Sequence, residues 1–139
     1  EDGLELALYK AYLANIQDPI GRQILEKSVL SKQRNVDFGW LYLTSQARTW
    51  EDEKRITVGQ AIHSYLQEIE LNGYHCAWLS DKTSDAAIAA EITADFNLGA
   101  ANAMQEEQIL RQYLKELRGK LADIHIPLAD LRHPTLGTL

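Results

Sequence analysis

The chain has 139 residues, 45% of them hydrophobic and 24% charged, and a formal net charge of −6. That is the size and balance of one globular domain with a real core, not of a disordered segment. The acidic total disfavours generic nucleic-acid binding, which depends on neutralising phosphates, and the single cysteine, Cys76, allows no disulfide within the chain.

In chain order, the first predicted helix covers about Leu4 to Gln17, where Leu4, Leu8, Tyr12 and Ile16 recur every four residues on one face. Asp18-Pro19 stops it and starts another, with Asp18 as N-cap and Pro19 in the first turn. This second helix is expected to run to about Gln33 and to bury Ile20, Ile24 and Leu25. Val36 to Leu43 fits either an alternating strand or a helix. A helix from about Asp37 to Arg48 is preferred, because a lone strand has nothing to pair with.

Thr49-Trp50-Glu51-Asp52 reads as a helix start, with Thr49 capping and the acids at the positive end of the dipole. The helix should run to about Asn72 with a stripe of Ile56, Gly59, Ile62, Leu66 and Ile69, closed by Gly73 in a left-handed conformation. Tyr74 to Leu79 is a short apolar connector with room for one helical turn. Ser80 to Ser84 is a polar linker that carries cap residues.

Ile88, Ile92, Phe96, Gly99, Ala103, Leu110, Leu114, Leu117, Leu121 and Ile124 then give the strongest periodic signal. One helix of about 40 residues would span roughly 60 Å, twice the width of a domain this small. A break near Asn97-Leu98-Gly99, a bend or a dimer must resolve that conflict. The small residues from Ala86 to Ala103 fit either a central helix approached from several sides or plain alanine propensity. Pro127, Pro134 and Gly137 make the last segment an extended strap or a frayed end.

These elements predict an all-α fold, an irregular bundle of five or six helices with a long C-terminal helix or helix pair. Residues 1–125 form the helical domain and 126–139 an extended C-terminal tail. No apolar stretch approaches the length of a bilayer span. The lone thiol favours the cytoplasm. The chain begins Glu1-Asp2-Gly3 without methionine, so a trimmed start, with export after signal cleavage as one form of it, is the other expectation.

No motif for chemistry emerges. There is no CxxC, HxxxH or HExxH among the histidines and Cys76, no Glu-x-x-His pair, and no glycine-rich phosphate loop or Gly-x-Ser-x-Gly elbow. Glu91 and Asp95 share a helical face, as exposed acids commonly do. Glu106-Glu107 interrupts the apolar stripe. His75 is next to Cys76 in sequence and poorly directed to act as its base. No catalytic residue, metal or cofactor is therefore expected.

One segment carries a local resemblance. Thr57 to Tyr74, ending Leu71-Asn72-Gly73-Tyr74, resembles the recognition helix of winged-helix regulators, which implies DNA binding by that helix. Glu51, Asp52 and Glu53 precede it and would repel phosphate, and the sequence after it leads into an alanine-rich helix rather than a wing.

Charge is segregated: residues 17–34 sum to +2, 81–107 to −5 and 108–120 to +3. Such blocks can steer a protein partner or a second copy of the chain. The expected function is a protein–protein interaction module of adaptor, immunity or chaperone type, with self-association as one form. A winged-helix-like DNA regulator, and a helical enzyme or ligand carrier with scattered site residues, are the alternatives. The partner-binding candidates are Trp50, Tyr74 and Trp78, from residue types that dominate interface hot spots, and the basic row Arg111, Lys115 and Arg118.

Overall fold

The structure, a computed structural model, describes residues 2–139. It is 71% helical, an all-α bundle with a two-stranded ribbon near its end. The helices are α1 (Asp2–Asn15), α2 (Pro19–Ala47), α3 (Asp52–Glu68), α4 (Asp85–Asp95) and α5 (Ala103–Asp123). Short 3-10 turns at Glu70–Asn72 and Ala77–Leu79 join α3 to α4. Strands β1 (Arg132–His133) and β2 (Gly137–Thr138) pair antiparallel.

Local chemistry places most boundaries. Asp18 caps α2 by accepting from the Gly21 amide, with Pro19 in the first turn. Ser84 caps α4 through the Ala87 amide, and Asn102 and Gln105 form a reciprocal capping box on α5. Gly73 ends the Glu70–Asn72 turn at φ 92°, the left-handed role that its sequence position indicates. The expected break between α4 and α5 lies at Asn97 (φ 54°) and Gly99 (φ 91°). A side chain at residue 99 would press on Ile16 and Leu25, so this glycine also lets the loop reach the α1–α2 corner, where the Gln17 amide donates to the Asn97 carbonyl.

Several expectations are corrected. The second and third predicted helices are one 29-residue helix, α2. No breaker separates Gln33 from Asp37, and the Gln33 side-chain amide donates to the Asp37 carboxylate at 2.7 Å across the expected gap. Thr49 does not cap α3; its hydroxyl donates to the Gln46 carbonyl at the end of α2, and Glu51 holds the N-cap position. The apolar rows are only partly buried. Ile20 and Ile24 on α2, Ile56 and Ile69 at the ends of the α3 segment, and Ile88, Ile92 and Phe96 along α4 are all exposed. Within the alanine-rich stretch only Ala87 and Ala101 are buried, so α4 is a peripheral helix.

The core gathers on α5. Leu110, Leu114, Leu117 and Leu121 are buried on one face, and Leu4 and Leu8 of α1, Leu66, Leu71, Cys76, Trp78 and Leu79 close over them. The last segment is a strap whose Ile126 and Leu131 are fully enclosed. It runs between α3 and α5. On the α3 side, Gln67 exchanges two hydrogen bonds with the backbone of Arg132, at 2.7 and 2.9 Å. On the α5 side, Arg118 donates to the carbonyls of Leu128 (3.0 Å) and Leu139 (2.8 Å).

Gly59 is the tightest point of that contact. It is buried in mid-α3, and a β-carbon there would collide with the Pro127 carbonyl oxygen. A helical Gly→Ala change ordinarily gains up to about 1 kcal/mol. Gly59→Ala should instead lose about 1–3 kcal/mol by displacing the strap. Urea denaturation of the two proteins checks the sign, and a more stable variant would show that the strap yields freely.

Candidate functional site

Two places could carry function: an uncovered apolar helix face and a buried polar centre. The first belongs to α2. At 29 residues it is about 43 Å long, against about 21 Å for the 14-residue α1 that is its main neighbour. α1 is fastened to it by Lys32, whose ammonium lies 2.8 Å from Asp2 and 2.6 Å from Glu5, and by Lys10, which donates to Gln33 at 2.8 Å. These contacts fix the inner face, where Leu25, Val29, Val36, Trp40 and Leu43 are half-buried and Ala47 is buried. The opposite face carries Ile20, Ile24, Phe38, Leu41 and Tyr42, each 59–70% exposed. α4 adds Ile88, Ile92 and Phe96, exposed at 48–70%.

The residues singled out from sequence fall in different settings. Trp50 is half-buried against the core. Tyr74 is exposed, its ring set edge-on to His75 with centroids 4.6 Å apart. Trp78 is buried in the core. Arg111, Lys115 and Arg118 are brought together on α5, where they line a cleft with Thr138 and Leu139. Both arginines are occupied there. Arg111 pairs with Glu107 at 2.9 Å and donates to the Leu136 carbonyl at 3.0 Å, while Arg118 clamps the strap. The Thr57–Tyr74 segment forms most of α3 and the turn after it, and the only ribbon among the described residues lies at 132–138.

The polar centre was not foreseen. Glu70 and Glu106 are 2% and 5% exposed, the two buried charged residues among those described. Glu106 accepts from the Tyr12 hydroxyl at 2.9 Å, and the Trp78 indole N–H sits beside it without a well-aligned hydrogen bond. Glu70 accepts from Tyr65 at 3.2 Å and meets His75 Nδ1 at 2.7 Å; the other ring nitrogen of His75 is 4.0 Å from Glu5. The sequence did hold one signal. Glu106 occupies the buried register of α5, four residues before Leu110, and Glu70 lies four after Leu66.

Burial pushes the Glu106 carboxyl above its ordinary range; the Tyr12 hydrogen bond and the nearby Trp78 N–H oppose this and the Glu91 charge adds to it. Burial, then the charges of Glu106 and Glu70, likewise push the Cys76 thiol far up. That removes the thiolate on which a nucleophilic role would rest. Burial also pushes the Tyr113 phenol up to about 12. Beside these groups lies a cavity of about 210 Å³ lined by Tyr12, His75, Trp78, Glu91 and Glu106 among alanines. Ligand pockets usually hold roughly 300 Å³ or more. The polar groups here mostly engage one another, so the centre ties α1, α5 and the connector together. No group of three His, Cys, Asp or Glu among the described residues is arranged to hold a metal ion.

Comparison with protein-family models, with curated proteins and with solved structures gives no match.

Because the folded Glu106 carboxyl titrates above its unfolded value, the folded state holds the extra proton between the two, and stability falls as pH rises through that window. Glu106→Gln keeps acceptor and donor capacity without the charge. It should be as stable as the parent at pH 4–5 and more stable, by about 1 kcal/mol, near neutrality. Denaturant titrations across pH 4–8 read this out. A variant less stable than the parent near neutrality would show instead that the buried carboxylate is stabilised where it lies.

Proposed function

We propose that this domain is a protein–protein interaction module that docks its partner on the outer face of α2. The observation that carries the reading is the set of large apolar side chains there, Ile20 and Ile24 near the start of the helix and Phe38, Leu41 and Tyr42 in its second half, each 59–70% exposed. Monomers rarely leave extended apolar patches in water, and such patches commonly mark contact surfaces. Aromatic anchors at Phe38 and Tyr42 suit that role. The apolar character also speaks against phosphate as the target, as does a net charge of −6.

The face can be tested without knowing the partner. The double substitution Ile24→Asp and Phe38→Asp should leave helicity and Tm unchanged within about 2 °C, since surface changes cost little. The parent should bind anilinonaphthalene sulfonate in its native state, or associate with itself, and the variant should do neither. A parent that neither binds the dye nor associates, or a variant that unfolds, shows that the face is covered within the monomer and overturns the reading.

A further inference from the structure

The cavity beside Glu106 is lined by the one buried side-chain donor among the described residues that has no partner. Trp78 is 6% exposed, and its indole N–H makes no hydrogen bond although Glu106 lies beside it. A buried N–H without an acceptor is costly and calls for an explanation.

The acids of this centre are unequally neutralised. Glu5 pairs with Lys32 at 2.6 Å, and Glu70 meets His75 at 2.7 Å. Glu91 and Glu106 have no such base among the described residues, and no lysine or arginine lines the cavity. Glu91 gives one oxygen to the Ala103 amide at 2.8 Å, and Glu106 gives one to Tyr12 at 2.9 Å. The second oxygen of each is left for another donor. Glu91 is exposed at the rim and Glu106 is buried. Their charges oppose one another, since Glu91 helps to push the Glu106 carboxyl up. A cation in the cavity would turn that repulsion into attraction to both. These acids and His75 are not arranged to hold a metal ion, so an organic cation suits them better.

The remaining wall is five alanines from the connector, α4 and α5. An apolar cavity of about 150 Å³ takes up benzene. About 210 Å³ therefore has room for a guest of roughly five to ten non-hydrogen atoms.

We propose that this cavity binds a small primary amine that also carries a hydroxyl, with the ammonium donating to Glu106 and Glu91 and the oxygen accepting from the Trp78 N–H. Such a guest is a donor where the cavity offers acceptors and an acceptor where it holds its unpaired donor. Its short aliphatic body lies against the alanines. A simple amine would leave the indole unpaired, and a carboxylate would bring charge of the wrong sign. No residue of the cavity belongs to α2, so this site stands apart from the docking face.

Valinol is a suitable probe. In proton–nitrogen correlation spectra of the full chain, the indole peaks of Trp40, Trp50 and Trp78 report separately, and Trp78→Phe identifies the third. Valinol should move the Trp78 peak saturably, with a Kd of about millimolar, and leave the other two in place. Isobutylamine lacks the hydroxyl, and in the corresponding diol a hydroxyl replaces the amine. Each should bind roughly tenfold more weakly, and valine, with its added carboxylate, more weakly still. Glu106→Gln should raise the valinol Kd roughly tenfold or more. Glu91→Gln changes only the exposed rim and keeps an acceptor for the Ala103 amide, so it tests the charge with the core intact; it should raise the Kd roughly three- to tenfold. A Trp78 peak that stays still up to about 0.1 M valinol, or one that moves only together with Trp40 and Trp50, overturns the proposal. Equal binding of the diol or of isobutylamine, or an unchanged Kd in Glu91→Gln, does so as well.

Discussion

The one apolar face of α5 is the constraint on which the rest depends. Leu110, Leu114, Leu117 and Leu121 are spaced to stay on one side of a helix and are all buried. α1, the 3-10 connector and the strap all close on that side. Each buried leucine is worth about 2–5 kcal/mol against alanine, a large share of a domain's net stability. A helix with so much gathered on one face leaves little apolar surface for more distant elements. α4 and the outer side of α2 are accordingly left with their isoleucines and aromatics in water.

Glu70 and Glu106 bring charge into this apolar setting. Burying a carboxyl is costly unless its oxygens find donors. Tyr12 and Tyr65 supply them, with His75 against Glu70. Tyr12 comes from α1 and Glu106 from α5, so that pair cross-links two helices, whereas Glu70 finds Tyr65 and His75 within five residues of itself. Such pairs specify one packing more sharply than leucines alone, because a slipped helix would leave an acid without its donor.

The order and type of the elements were legible where a short-range rule governs them. Asp18-Pro19, Gly73, Ser84 and Asn97 to Gly99 act through backbone geometry and capping, and these depend on a few adjacent residues. Periodicity told which residues share a face but not what that face meets. Ile20, Ile24, Ile88 and Ile92 keep helical spacing as faithfully as Leu110 and Leu114, yet they are solvated. The same limit explains the false gap in α2: Val36 to Leu43 fits two periods, and the i,i+4 contact from Gln33 to Asp37 that favours the helix is polar and so outside the apolar pattern. For the candidate site, the apolar residues of α2 were visible as residues but read as core. The basic row of α5 was found as a cluster, though two of its members prove to hold the strap. Of the two buried acids only Glu106 showed, as an interruption of a stripe, and its donor Tyr12 lies 94 residues away.

The strap has a wider consequence. α3 reaches the body of the bundle largely through it: Gly59 rests on Pro127, Gln67 grips Arg132, and His63 Nε2 lies 3.2 Å from the Asp130 carbonyl oxygen. The strap in turn is held by two arginines of α5. The final stretch of chain therefore serves as a go-between for two helices that make little direct contact. The packing of a helix in the first half of the chain is thereby tied to residues some 70 positions downstream.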